Sequence, residues 1–175
     1  MTHVMLDLET LGTAPGCVVL SIGAVVFDPV AAELGAEFST KISRSNCEVS
    51  GLKVDPRTEQ WWAGQSDAAR AAAFGSYTML REALADFDAF WAKVGGTHLW
   101  GHGASFDAPV LEAAYRAVGW AAPWKYNATR CTRTLYELAH VEPDRTVGTH
   151  HNALDDAKAQ ALAAIAAMRK LGCFA

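Results

Sequence analysis

Val4-Met5-Leu6-Asp7-Leu8-Glu9-Thr10 is an apolar run broken by two acids, and the reading of those acids decides the fold. Val4, Met5, Leu6 and Leu8 predict a short buried strand. Asp7 and Glu9 lie two residues apart, so on a strand both side chains leave one face. Two ionised carboxylates on one face repel each other, and burying them unpaired is costly. A divalent cation between them removes the conflict, since hard cations such as Mg²⁺ take carboxylate oxygens and share them with substrate phosphates. An isolated Asp-x-Glu is more often an exposed strand face or a turn entry, so the decision falls to two further blocks.

The middle block opens with Thr97-His98-Leu99-Trp100, a candidate strand broken by Gly101-His102-Gly103. Val110, Leu111, Ala114, Tyr115 and Val118 then recur at helical spacing. Pro109 fits only the first turn of that helix, which puts Asp107 at its N-terminus, where the helix dipole favours an ionised carboxylate. The last block is His151-Asn152-Ala153-Leu154-Asp155-Asp156. Asn152 reads as an N-cap, and Asp155 is placed to reach back to it as in a capping box. The helix runs through Leu162, Ile165, Ala166 and Met168 to Gly172, a C′ glycine. Asp156 falls in its first turn. His151 falls on the loop just before it, a position suited to a general base near neutral pH. His150 reads as a surface loop residue.

In order, Asp7-Leu8-Glu9-Thr10, Phe106-Asp107 and His151-x-Ala153-x-x-Asp156 resemble the three motifs of the DEDDh, or DnaQ-like, family of 3′→5′ exonucleases. The resemblance spans residues 4 to about 165. Its most specific part is the histidine five residues before the last aspartate, which separates this branch from relatives carrying tyrosine there. A closer resemblance, to compact phage and bacterial exonucleases related to exodeoxyribonuclease VIII and to small bacterial exoribonucleases, is carried by Thr58-Glu59-Gln60-Trp61-Trp62, Gly103-Ala104-Ser105-Phe106-Asp107, Pro123-Trp124 and Arg133-Thr134-Leu135. The chain departs from many such relatives at His102 and Gly103, where an asparagine is common, and at Cys131, where an acid is common.

The resemblance implies an α/β, RNase H-like fold: a five-stranded mixed sheet flanked by helices, as one exonuclease domain over residues 1–175. It implies metal-dependent hydrolysis that releases nucleoside 5′-monophosphates from single-stranded 3′ ends. Two divalent cations, Mg²⁺ or Mn²⁺, would be held by Asp7, Glu9, Asp107 and Asp156, with His151 deprotonating the attacking water. One ion is assigned to Asp7, Glu9 and Asp156, and the second to Asp7 and Asp107. Residues after the first acidic pair meet the last nucleotide in the family, which makes Thr10 and Leu11 candidate substrate contacts. Phe106 divides between stacking on a base and anchoring its helix in the core. One of Trp61 and Trp62, about 100° apart on a helix, is expected in the core and the other beside the substrate. Arg133 reads first as a surface arginine, with a phosphate contact as the alternative. The exodeoxyribonuclease VIII-like features favour DNA slightly over RNA, with an exoribonuclease as the alternative. A nucleic-acid-binding module without activity would show a lost motif residue, and none is missing. An RNase H-like endonuclease is disfavoured by the His151-to-Asp156 spacing.

Composition is consistent with that reading. A chain of 175 residues, 51% hydrophobic, is long enough to bury a substantial core. Its net charge of -4 disfavours many phosphate contacts to a long duplex but not a grip on a few terminal nucleotides. Cys17, Cys47, Cys131 and Cys173 show no metal-ligand spacing and read as reduced thiols. With no secretory leader and no long apolar run, a cytoplasmic location is expected; the family resemblance implies a homodimer as a further expectation. The remaining elements are predicted as strands near 18–27 and 37–43 forming an antiparallel meander with the first, helices near 55–63, 79–94 and 132–140, and a strand near 125–127. The alanine-rich stretches 68–73 and 163–167 read as helix packing.

Overall fold

The computed structural model describes residues 1–144, 146 and 148–173. Strands β1 (His3–Thr10), β2 (Val19–Asp28) and β3 (Glu33–Lys41) form the expected antiparallel meander. Strands β4 (His98–Gly101) and β5 (Thr129–Cys131) extend it in parallel, giving the sheet order β3-β2-β1-β4-β5. β1 is therefore central, with a neighbour on each side.

Helices α1 (Arg44–Val49), α2 (Pro56–Ala63), α3 (Asp67–Ala73) and α4 (Leu80–Val94) lie between β3 and β4. Helix α5 (Asp107–Ala117) precedes β5, and α6 (Thr132–Ala139) and α7 (Ala153–Lys170) follow it. Among the described residues no helix is long and apolar enough to cross a membrane.

Alternation along β1 divides the core into two layers. Val4, Leu6 and Leu8 pack with Leu84 and Phe87 of α4 and Val110 and Leu111 of α5. Met5 faces the other way, packing with Phe27, Trp100, Tyr136 of α6 and the alanines of α7. Asp7 and Glu9 share the Met5 face. The helical periodicity of α4 predicts a buried stripe of Leu80, Ala83, Leu84, Phe87, Phe90, Trp91 and Val94; all are buried except Val94, which is half-buried.

Three differences from the sequence expectations have local causes. β3 starts at Glu33 because Asp28 Oδ1 accepts the N–H groups of Val30 and Ala31, closing a tighter turn. The last strand lies at Thr129–Cys131, not 125–127, because residues 125–128 form a turn closed by the Ala128 N–H to the Lys125 carbonyl. Helix α1, not anticipated, is six residues long and is held by the Ser43 cap on Asn46 N–H.

One glycine sets where α7 sits. Gly23 of β2 pairs with Asp7, and a Cβ there would lie 2.1 Å from the Ala153 carbonyl carbon and 2.2 Å from Leu154 N. The first turn of α7 thus rests directly on the sheet beside Asp7. Buried Ala157, Ala161 and Ala164 continue that close approach along the helix. Gly23→Ala should push the α7 N-terminus off the sheet. The expected result is a loss of about 1–3 kcal/mol of stability in denaturant melts and a larger proportional loss of activity, because His151 and Asp156 move with the turn. A variant with wild-type stability and activity would contradict this placement.

Candidate active site

The site forms where β1 meets the N-termini of α5 and α7. Asp7, Glu9 and Asp156 each offer a carboxylate oxygen, and these atoms lie within 4.8 Å of one another. Asp7 is half-buried and Glu9 buried. Asp107 is buried at the start of α5 with its Oδ2 accepting the His102 N–H at 2.8 Å. It reaches that position because Gly101 has no Cβ; one built there would sit 2.7 Å from Asp107 Oδ2. Asp107 lies outside the tight carboxylate group, near enough for its charge to act on Asp7.

The α7 N-terminus is built as its sequence implies, with one correction. Asn152 Oδ1 accepts the N–H groups of Leu154 and Asp155. Asp155 does not close a capping box: its Oδ2 accepts the Thr149 N–H at 2.8 Å, while Asn152 N–H goes to the Thr149 carbonyl. Asp155 therefore ties the preceding loop to the helix. Asp156 Oδ2 accepts the His151 N–H at 3.0 Å.

His151 holds a left-handed backbone conformation, φ 63°, rare for a residue with a Cβ. Its ring meets Trp61 edge-to-face at 4.9 Å and stacks on His150 at 4.1 Å. The expectation for His150 needs revision: it is exposed, but its ring covers His151 and its Nδ1 lies 3.7 Å from Asp156 Oδ1.

Sequence reasoning missed Gln160. Its Nε2 donates to Asp7 Oδ1 at 2.8 Å, and its own Oε1 is buried without a partner among the described residues. The signal was present: Gln160 follows Asp156 by four residues and so shares its helix face.

The acids interact strongly. Burial, reinforced by the Asp156 and Asp107 charges, pushes the Glu9 carboxyl up to about 8. Burial pushes Asp107 up to about 7 against the hydrogen bond from His102 N–H. Asp7 is raised well above the carboxylate range by burial and then by Asp107, Glu9 and Asp156. Asp156 is raised by burial. His151 is lowered by burial and by His150, against the pull of Asp156, so its imidazole is neutral at pH 7. Four carboxylates that resist ionising together, with an orphaned amide oxygen beside them, form a donor set suited to hard divalent cations.

Beside the acids lies a cavity of about 560 Å³ lined by Glu9, Thr10, Thr58, Trp61, Trp62 and Phe106 among others. Trp62 is core, its Nε1 donating to the Thr10 carbonyl at 2.9 Å, while Trp61 is half-exposed. Phe106 both packs on the core and faces the cavity. Thr10 lines the cavity with its hydroxyl donating to the Gly12 carbonyl. Leu11 does not reach it. Its side chain is buried in the core, its N–H goes to the Val18 carbonyl, and its carbonyl accepts the Asp55 N–H. Gly12, Thr13 and Thr58 line the cavity instead.

A strand-borne acid pair joined by two helix-start aspartates and a loop histidine defines a DEDDh-type 3′-5′ exonuclease, a hydrolase, and comparison with known proteins agrees. The chain belongs to the 3'-5' exoribonuclease Rv2179c-like domain family, whose description matches residues 2–168. No curated protein matches it by sequence. Among solved structures it is similar to Exonuclease X in complex with 5′ overhanging duplex DNA, at 18% identity and TM-score 0.60 over 97% of this chain and 93% of that one. It is similar to the nuclease domain of 3'hExo, a DEDDh family member bound to rAMP, at 15% identity and TM-score 0.63 over 98% and 93%. E. coli Exonuclease I in complex with a dA16 oligonucleotide gives 14% identity and TM-score 0.64, over 98% of this chain and 42% of that one. These likenesses establish the five-stranded RNase H-like fold. Exonucleases of this class use divalent metal ions.

The raised acids give a pH signature. In chelated protein their folded values lie above the ordinary carboxylate range near 4, so the stability they contribute is full below that range. It is lost as pH rises through about 7 for Asp107 and about 8 for Glu9. Mn²⁺ or Mg²⁺ should therefore raise the melting temperature more at pH 8 than at pH 5. An equal shift at both, or none, would contradict the cluster as the binding site.

Proposed function

We propose that this chain removes nucleoside 5′-monophosphates one at a time from single-stranded 3′ ends, as one domain, with RNA favoured over DNA. The observation that carries the reading is the meeting of Asp7, Glu9 and Asp156 beside an aromatic cavity with His151 at its edge. The preference for RNA reverses the initial lean towards DNA. It is supported by the exoribonuclease description of the family. The complex of Exonuclease I with a dA16 oligonucleotide keeps single-stranded DNA as the second reading.

Asp7, Glu9 and Asp156 would hold one divalent cation, and Asp7 with Asp107 a second. When bound, Mg²⁺ or Mn²⁺ supplies charge that acidifies water and offsets the negative charge developing on the leaving oxygen. Gln160 fixes Asp7 by donating to its Oδ1. Trp61 and Phe106 offer faces to the terminal base, a contact that tolerates any base and so gives weak sequence preference. His151, neutral at pH 7, accepts a proton from the attacking water. The new oxygen–phosphorus bond forms as the bond to the upstream 3′-oxygen breaks. That oxygen stays on the shortened strand and takes a proton from solvent.

His151→Ala should lower kcat by roughly 10²–10⁴-fold, with metal and substrate affinity changing far less. His150→Ala should lower it only a few-fold, through the lost stacking. Equal losses in the two variants, or the reverse order, would misplace the base.

Matched single-stranded RNA, single-stranded DNA and blunt duplex, digested by one preparation, test the substrate class. RNA should turn over fastest and blunt duplex slowest. Faster DNA turnover would reverse the RNA preference, and blunt duplex as the best substrate would overturn the single-strand reading.

A further inference from the structure

We infer that the groove continuing from the carboxylates past Arg133 is a second nucleotide subsite, in which Arg133 contacts a phosphate upstream of the scissile bond. The inference rests on the exonuclease reading and extends it to a part of the surface that the motifs do not reach.

The geometry is one of continuity. The aromatic cavity shares Leu8 and Glu9 with an acidic cavity of about 470 Å³ that contains Asp7, His151, Asp156 and Gln160. The acidic cavity in turn shares His102 and Pro143 with a third, of about 640 Å³, lined by Arg133, Tyr136, Glu137 and His140 among others. The three follow one another along a single groove: aromatic, acidic, then mixed. A strand with its terminal nucleoside in the first and its scissile phosphate at the second has its remaining nucleotides at the third.

Arg133 has the chemistry for that position. It lies in the first turn of α6, is exposed, and makes no hydrogen bond or ion pair among the described residues. Burial raises the Asp107 carboxyl, and the Arg133 charge opposes that rise only in small part. A Cβ at Gly103 would lie 3.7 Å from Arg133 Nε, so the arginine side chain lies against the backbone of the loop that leads into Asp107. In a chain of net charge -4, an unpaired guanidinium beside buried acids is a specific place for a phosphodiester. Glu137 and Glu142 also line this cavity, which limits the subsite to one phosphate at its Arg133 end and excludes a long cationic track.

The test compares the effect of one substitution on a substrate without an upstream phosphate and on a substrate with one. In the p-nitrophenyl ester of thymidine 5′-monophosphate, p-nitrophenol replaces the upstream strand as leaving group, so no upstream phosphate reaches the third cavity. A single-stranded hexanucleotide fills it. Arg133→Ala should lower kcat/KM on the hexanucleotide roughly tenfold, mostly through KM, and leave ester hydrolysis within about twofold, with Arg133→Lys retaining part of the loss. The slope of log kcat/KM against log salt on the hexanucleotide should shrink by about 0.7, the value for one phosphate contact on a single strand. Equal losses on both substrates would show a structural role and overturn the subsite. So would an unchanged hexanucleotide rate with an unchanged salt slope. A wild-type enzyme that cleaves the ester yet fails to shorten the hexanucleotide from its 3′ end would instead reject the exonuclease reading itself.

Discussion

The repulsion among four carboxylates held at the centre of a sheet governs the rest of this structure. Asp7 and Glu9 leave the same face of the central strand, and the first turns of α5 and α7 bring Asp107 and Asp156 towards them. Burial raises all four, so the cluster cannot ionise fully without a compensating positive charge. Among the described residues no lysine or arginine forms an ion pair with these acids. The groups that hold them are a neutral amide, Gln160, and main-chain N–H groups from His102 and His151. Those donors orient the acids without neutralising them, which leaves their charge for cations and, through cations, for a phosphate.

Holding acids this close requires backbones to approach closely, and small residues permit it. The missing Cβ atoms of Gly23 and Gly101 make room for the α7 start and for Asp107. The alanine stripe of α7 lets a long helix lie flat on the sheet, so the alanine richness read as packing also serves the site. The two histidines before α7 form one unit with Trp61. The His151 ring meets Trp61 edge-to-face and stacks on His150, so α2, distant in sequence, helps aim the candidate base.

Much of this was legible in the sequence because it is local. The acid spacing on β1, the Asn152 cap, Pro109 in a first turn and the apolar stripe of α4 each depend on a few neighbouring residues. The features that escaped depend on tertiary contacts. β5 is three residues long, too short for alternation to show, and its place is fixed by pairing with β4. Leu11 follows the acid pair in the motif, yet the strand bulge between Glu9 and Thr10 precedes a turn of chain that buries it. Gln160 becomes a candidate only once Asp156 is placed, and Arg133 only once the groove is seen to continue past His102.

The central claim is that Asp7, Glu9 and Asp156 form a cation site around which the chemistry is arranged. Anomalous diffraction from crystals soaked in Mn²⁺ tests it most directly. The account predicts manganese density bounded by those three carboxylates, with Asp107 facing any second peak, and its loss in Asp7→Asn crystals. Manganese found only at His150 and His151, or density at the cluster that survives Asp7→Asn unchanged, would contradict it.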